Sequence, residues 1–230
     1  MELMKKFIIF KQGVLEELPL QLGVFPFGII YGIMAIESGL TPIQAFLMSS
    51  IIFGGASQIA FVQLISSATP LGVIVTTVSA INSRHFLYSI SMMEYLKNLS
   101  LKWRIVLSYL LTDEAYAVSI RRFINEPSTS FLHFHLLGTG ITLFLSWQTS
   151  TLMGVLLVGD LPQFLDLQFI IPLTFIAIIV PMIKSISTFF VVIASAFSGL
   201  ILKSLDINFW IIISGIIGVV IGLASSRLDK

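Results

Sequence analysis

Long apolar stretches separated by short polar breaks run the length of the chain, at Leu18 to Ile36, Pro42 to Leu64, Gly72 to Met93, Trp103 to Ile120, Leu132 to Val158, Phe169 to Met182, Ile186 to Leu202 and Phe209 to Leu223. Several approach the roughly 20 residues that a spanning helix needs, and the sixth is short enough to be partial or packed inside protein. Breaks fall where Pro and Gly gather with polar residues, at Ser38 to Pro42, Ser66 to Gly72 and Gly159 to Pro162. The pattern predicts an all-α polytopic membrane bundle of about seven or eight helical segments, forming one transporter domain over residues 1–230. Met4, Phe7, Lys11 and Val14 share one helical stripe, so residues 1–17 read either as an interfacial helix or as an untethered extension. Charged residues interrupt the apolar positions there, which leaves no continuous core for a secretory signal.

Two of the runs carry internal irregularities. Gly54-Gly55-Ala56-Ser57-Gln58 interrupts the second. It reads as a discontinuous helix whose fresh N-terminal amides could receive an anionic group, or as small residues that let helices pack closely. In the third, Arg84, Tyr88, Ser91 and Tyr95 fall on one helical face with Asn82 and His85 beside it. A charge at membrane depth costs about 2.5–3.5 kcal/mol on insertion scales, so Arg84 is expected to face protein or water rather than lipid. The alternative is an arginine that snorkels toward Lys97. His85 fits a packing role as well as a proton carrier.

The fourth run holds Thr112-Asp113-Glu114 and Tyr116. Adjacent carboxylates in a poorly solvated place resist ionising together, which predicts Asp113 paired with Arg84 and Glu114 exchanging a proton. The competing reading is a helix start with both acids exposed. Thr139, Thr142, Ser146 and Thr149 form a further polar stripe suited to interhelical hydrogen bonds.

Charge placement complicates the topology. Lys5, Lys6 and Lys11 favour a cytoplasmic amino terminus, yet Lys97, Lys102 and Arg104 flank one end of the fourth run and Arg121 and Arg122 the other. Either that run or one before it therefore fails to cross. The loop with Asp160 and Asp166 reads as external, and Lys184, Arg227 and Lys230 as internal. About four segments per half raise an internal repeat, with Gly32 and Gly39 answering Gly154 and Gly159; an even number of crossings per half would make the repeats parallel, an odd number inverted.

Composition narrows the chemistry. Only 11% of the 230 residues are charged, the net charge is +1 and there is no cysteine, which leaves no basic face for nucleic acid and excludes disulfides and thiolate chemistry. No P-loop or HExxH occurs, so ATP-driven transport within this chain and zinc hydrolysis lack support, and no cofactor is expected.

These residues together resemble the AzlC-type large subunit of branched-chain amino acid exporters. The resemblance is carried by Gly13 and Pro19, Phe27-Gly28 with Gly32 and Gly39, Gly55-Ala56-Ser57-Gln58, Arg84-His85 with Leu87-Tyr88, and Leu111-Thr112-Asp113-Glu114 with Ala117; beyond about Ile120 only hydropathy, Trp147, Gly154 and Pro172 continue it. It implies export of valine, isoleucine, leucine or methionine from a bacterial cytoplasm, with a small AzlD-type membrane subunit as partner. An amino acid zwitterion needs a partner of each sign beside an apolar pocket. Arg84 or the amides around Gly55, Ser57 and Gln58 would take its carboxylate and Asp113 or Glu114 its ammonium, with Asn82, Tyr88 and Tyr116 in the lining. Two rivals are an intramembrane serine protease using Ser57 and His85, and a non-transporting subunit that stabilises a partner.

Overall fold

A computed structural model of the chain describes residues 2–126, 130–158, 180, 183 and 185–226. The described elements are α1 (Glu2–Glu17), a 3-10 turn (Leu18–Leu20), α2 (Gln21–Glu37), α3 (Pro42–Ile51), α4 (Gly55–Ser66), α5 (Leu71–Leu96), α6 (Leu101–Tyr109), α7 (Asp113–Asn125), α8 (His133–Leu157), α9 (Ile186–Ser204) and α10 (Trp210–Ser225). Among the described residues there is no strand. The sixth apolar run, the Asp160 and Asp166 loop, Gly159, Pro172, Lys184, Arg227 and Lys230 lie outside the described residues. By their contacts the residues group into two compact units, residues 1–63 with 81–161 and residues 64–80 with 162–230.

In the first unit α8 is the central post. From α1 through α2 the chain runs as one 36-residue helical segment, apolar and long enough to cross a bilayer, as are α8 and α9. It lies parallel to α8, because contacts advance together along both: Gly13 meets the His135 carbonyl, Gly28 meets Ser150, and Gly32 meets Gly154. These crossings are reciprocal. A Cβ on Gly32 would stand 3.0 Å from the Gly154 Cα and one on Gly154 3.0 Å from the Gly32 Cα, each also striking the carbonyl three residues before the other glycine. Small residues bring the backbones close, the usual solution where lipid offers no hydrophobic drive between helices. Residues 2–17 therefore pack along α8 instead of standing apart from the bundle, and Lys5 and Lys11 remain exposed.

The fourth apolar run is a hairpin. Trp103 of α6 packs on His133 and Phe134 at ring separations of 5.0 and 5.2 Å, and Leu110 abuts Gly140, so α6 ascends beside α8. Then α7 descends: Ser119 hydrogen-bonds Thr139 at 3.1 Å, and Arg122 reaches Glu16, the partner of His135. Leu107, Leu111, Ala115 and Phe123 close on Met92, Leu96, Leu132 and Leu136 as a buried core. The nine residues of α6 span only about 14 Å, half a hydrocarbon core, which fits a re-entrant excursion and not a crossing.

The second run doubles back as well. From the opposite end α3 descends, with Ser49 hydrogen-bonded to Thr151 at 3.1 Å, Ser50 to Gln148 at 3.1 Å, and Phe53 packed on Phe144 at 5.2 Å. A capping box at Thr41 and Gln44 starts it. Gly54 then lies beside Asn82 while residues 67–70 join α4 to α5, which makes α4 and α5 antiparallel and turns α4 back the way α3 came. The discontinuous helix expected at Gly54-Gly55 is present, and its two halves form a hairpin. Within the second unit, α9 and α10 pair antiparallel through Gly199 on Ser214, Ser195 on Gly218 and a 2.8 Å hydrogen bond between Ser187 and Ser225.

Candidate functional site

The two hairpin tips meet. Tyr109, the last residue of α6, donates its hydroxyl proton to the Ser50 carbonyl at the end of α3, and its ring lies 6.0 Å from that of Phe53. Two short helices therefore begin in the interior of one unit, α4 at Gly55 and α7 at Asp113, each with first-turn amides that have no preceding helical carbonyl. The amides of a helix start carry partial positive charge.

Alongside both tips runs α5. Its Asn82 side-chain oxygen would stand 3.2 Å from a Cβ on Gly54, and Arg84 Nη1 binds Asp113 Oδ2 at 2.6 Å. One helical turn on, Tyr88 stacks on Tyr116 with centroids 4.5 Å apart, and Ser91 hydrogen-bonds the Tyr116 hydroxyl at 2.8 Å. Tyr95 packs against Phe123. The stripe of Arg84, Tyr88, Ser91 and Tyr95 thus lies along α7. Arg84 engages a carboxylate and does not snorkel toward Lys97.

Asp113 does open a helix, as one reading of the fourth run has it, but the acids are not exposed there: both Asp113 and Glu114 are half-buried at a hairpin tip. Successive positions send them different ways. Asp113 turns to Arg84, and Glu114, the next position along α7, lies about 100° round the helix from it.

Gln58 is wholly buried and accepts a hydrogen bond from Trp147 Nε1 at 3.0 Å. Ser57, also buried, donates to the Gly54 carbonyl at 2.8 Å, and His85 stacks on Tyr88. Neither side chain is engaged as a nucleophile and base would be. Several buried atoms around the tips have no hydrogen-bond partner: Gln58 Nε2, Asn82 Oδ1, Arg84 Nε, His85 Nε2, Thr112 Oγ1 and Asp113 Oδ1. Buried polar atoms without partners are rare in native proteins, and here they mix donors and acceptors of both charges. Among the described residues no three His, Asp or Glu side chains gather as metal ligands would.

Sequence reasoning missed Glu17 and Gln21, and named Trp147 only as a point of resemblance without placing it at the site. Glu17 follows the exposed Glu16 and precedes a proline-containing turn, so nothing in the pattern marks it as buried. A second polar cluster links α1, α7 and α8, where Arg122 binds Glu16 at 2.8 Å and Gln12 at 3.0 Å, and Glu16 meets His135 at 3.1 Å. Beside it a cleft of about 430 Å³ opens between Glu16, Leu20, Ala117, Arg121 and Glu126.

Comparison with known proteins gives a consistent result. The model of the family described as AzlC protein matches residues 19–161. An uncharacterized membrane protein of Archaeoglobus fulgidus is 29% identical over 188 residues, 80% of each chain. Inner membrane protein YgaZ of Escherichia coli is 25% identical over 146 residues, 63% of this chain and 59% of the relative. An uncharacterized membrane protein of Helicobacter pylori is 31% identical over 110 residues, 47% of each. No solved structure matches.

Proposed function

The chain belongs to the AzlC family, and from that premise we propose that it is a secondary transporter exporting branched-chain or other hydrophobic amino acids across the cytoplasmic membrane, with proton coupling. That it is a membrane protein of transporter type follows from the family and its apolar helices. The observation that carries the finer reading is the Arg84–Asp113 pair set between two interrupted helices among unpartnered polar atoms. A zwitterion supplies what that set lacks. Its carboxylate would be received by Arg84 and the opening amides of α4 at Gly55, and its ammonium by Asp113. Binding would divide the existing ion pair between the two ends of the substrate, and release would restore it, so neither charge is left alone at depth. Trp147 and Phe27 beside Gly55 give the apolar wall.

The ion pair sits on a helix start, and small shifts of either tip change its geometry. This is how a re-entrant pair would expose one site alternately to each side. A small AzlD-type subunit is the proposed partner; the chain alone should export poorly or be degraded, and full transport by the purified chain in liposomes would exclude that need. The transport reading is tested by efflux of a panel of radiolabelled amino acids from loaded membrane vesicles. Efflux of valine, leucine, isoleucine or methionine above that of vesicles without the protein is expected, and efflux of none would overturn it.

A further inference from the structure

Gln58 follows Gly55, the first residue of α4, by three positions, and helical side chains lean back over the preceding turn, so its amide lies over the opening of that helix. It is wholly buried. The indole of Trp147 covers the same turn: its Nε1 donates to Gln58 Oε1 at 3.0 Å, and its far ring edge would stand 2.6 Å from a Cβ on Gly55. An indole N–H can only donate, so the atom it meets must be the amide oxygen. The Gln58 amide is thereby held in one of its two orientations, and Nε2 is left for another partner. It has none. The hydroxyl of Tyr31 in α2, which acts on Gln58, donates its own proton to the Ala45 carbonyl at 2.9 Å and makes no hydrogen bond with Nε2.

The rest of the turn is also rich in donors. The Gly54 carbonyl is taken by the Gln58 N–H at 3.1 Å and by the Ser57 hydroxyl at 2.8 Å, and the amides of residues 55–57 have no helical carbonyl before them. Donors gathered in a buried place without acceptors are costly until an acceptor arrives. We propose that Trp147 is a positioning residue for recognition of the substrate carboxylate, fixing Gln58 so that its Nε2 joins the opening amides of α4 as a donor to that group. The identity of the substrate rests on the transporter reading. An amide fixed in advance loses no rotational freedom when the carboxylate binds. It also sets a preference: a carboxylate accepts with both oxygens, whereas an amide in its place brings an NH2 group against donors.

Counterflow of labelled leucine in membrane vesicles, competed by unlabelled leucine and by leucinamide, reads the preference for a carboxylate as a ratio within one preparation, whatever the protein level. Gln58→Met keeps the side-chain length without a donor and should lower that ratio about tenfold, the scale of one hydrogen bond to a charged group. Trp147→Phe should lower it in the same direction by less, and should change it no further once Gln58 is replaced. A merely structural role for Trp147 would weaken both ligands alike, so a parental ratio in either variant overturns the proposal even where leucine transport is confirmed. The second measurement needs no transport. Isocaproate, which has leucine's carboxylate and branched chain without the ammonium, should raise the unfolding temperature of the detergent-solubilised parent and raise it less in both variants. No shift in the parent, or equal shifts in all three proteins, overturns the proposal. A shift that the variants lose, in a protein that moves no amino acid, upholds the carboxylate site and overturns the transporter reading alone.

Discussion

Arg84 and Asp113 are each about one-third exposed, which separates them from a sealed structural ion pair. A pair with partial access can exchange partners, and truncating it leaves a charge that the surroundings were built to neutralise. Arg84→Leu, at equal membrane level, should lower export by about a hundredfold, the scale expected when a positioning contact is lost; retention of parental export would remove Arg84 from the site. Asp113→Asn should spare Arg84's geometry better and leave it without a counter-charge, so a carboxylate analogue of leucine that lacks the ammonium group should be favoured relative to leucine in a competition assay. The pairing itself was legible from sequence, since intramembrane charges need partners and only one cation stood near two acids. Glu17 was not legible, because Glu16 and Glu17 are alike in sequence and differ only in which face of α1 meets α7 and α8. Burial of one side chain at a helix end depends on how the neighbouring helix crosses, and that crossing is set by Gly13 and Gly138 from distant parts of the chain.

At the scale of elements, both interruptions were written in the sequence as glycines or as acids within apolar runs, but their direction was not. A break at Gly54-Gly55 is compatible with a helix that continues and with one that returns. What decides is contact with other elements, here Phe53 on Phe144 before the break and Gly54 beside Asn82 after it. Tip packing is tight, and that gives a test of the α4 start. A Cβ at Gly55 would lie 2.6 Å from the far edge of the Trp147 ring and 3.1 Å from Phe27. Gly55→Ala should therefore lower the unfolding temperature of the detergent-solubilised protein, at a cost of about 1–3 kcal/mol for forced repacking. Trp147→Phe removes ring atoms from the same space, but forfeits the hydrogen bond to Gln58. Because the two changes share one space, the double variant should lose less than the two single losses added together. Strict additivity would mean that the ring does not abut the α4 start.

For the whole molecule, the hairpins resolve the charge conflict that strict alternation of crossings creates. With α2 and α8 parallel and with α3–α4 and α6–α7 folded as hairpins, Lys11, Lys97, Lys102, Arg104, Arg121 and Arg122 all stand at one end of the first unit, beside His133 and Glu16. By the positive-inside rule, basic residues gathered at one end predict that this end faces the cytoplasm. The reciprocal packing of Gly32 and Gly154 has the same origin: each belongs to a helix that opens a half, and three intervening segments that include two hairpins leave a single return crossing between them. That parallel pairing is what an even-membered repeat would give, and the sequence offered it only as two glycines among many. The absence of cysteine makes the arrangement directly measurable. Single cysteines at Asn98 and Asn125, both exposed positions flanking the α6–α7 hairpin, should react with a membrane-impermeant maleimide from the same side as a cysteine at Lys11, and a cysteine at Glu37 from the opposite side. If α6 and α7 instead formed one crossing, Asn98 and Asn125 would label from opposite faces, and Asp113 would then lie in the middle of a spanning helix with no opening amides around it. The labelling pattern therefore tests the premise on which the site rests, that α7 starts inside the membrane and offers its first turn, and Asp113 with it, to whatever binds between the tips.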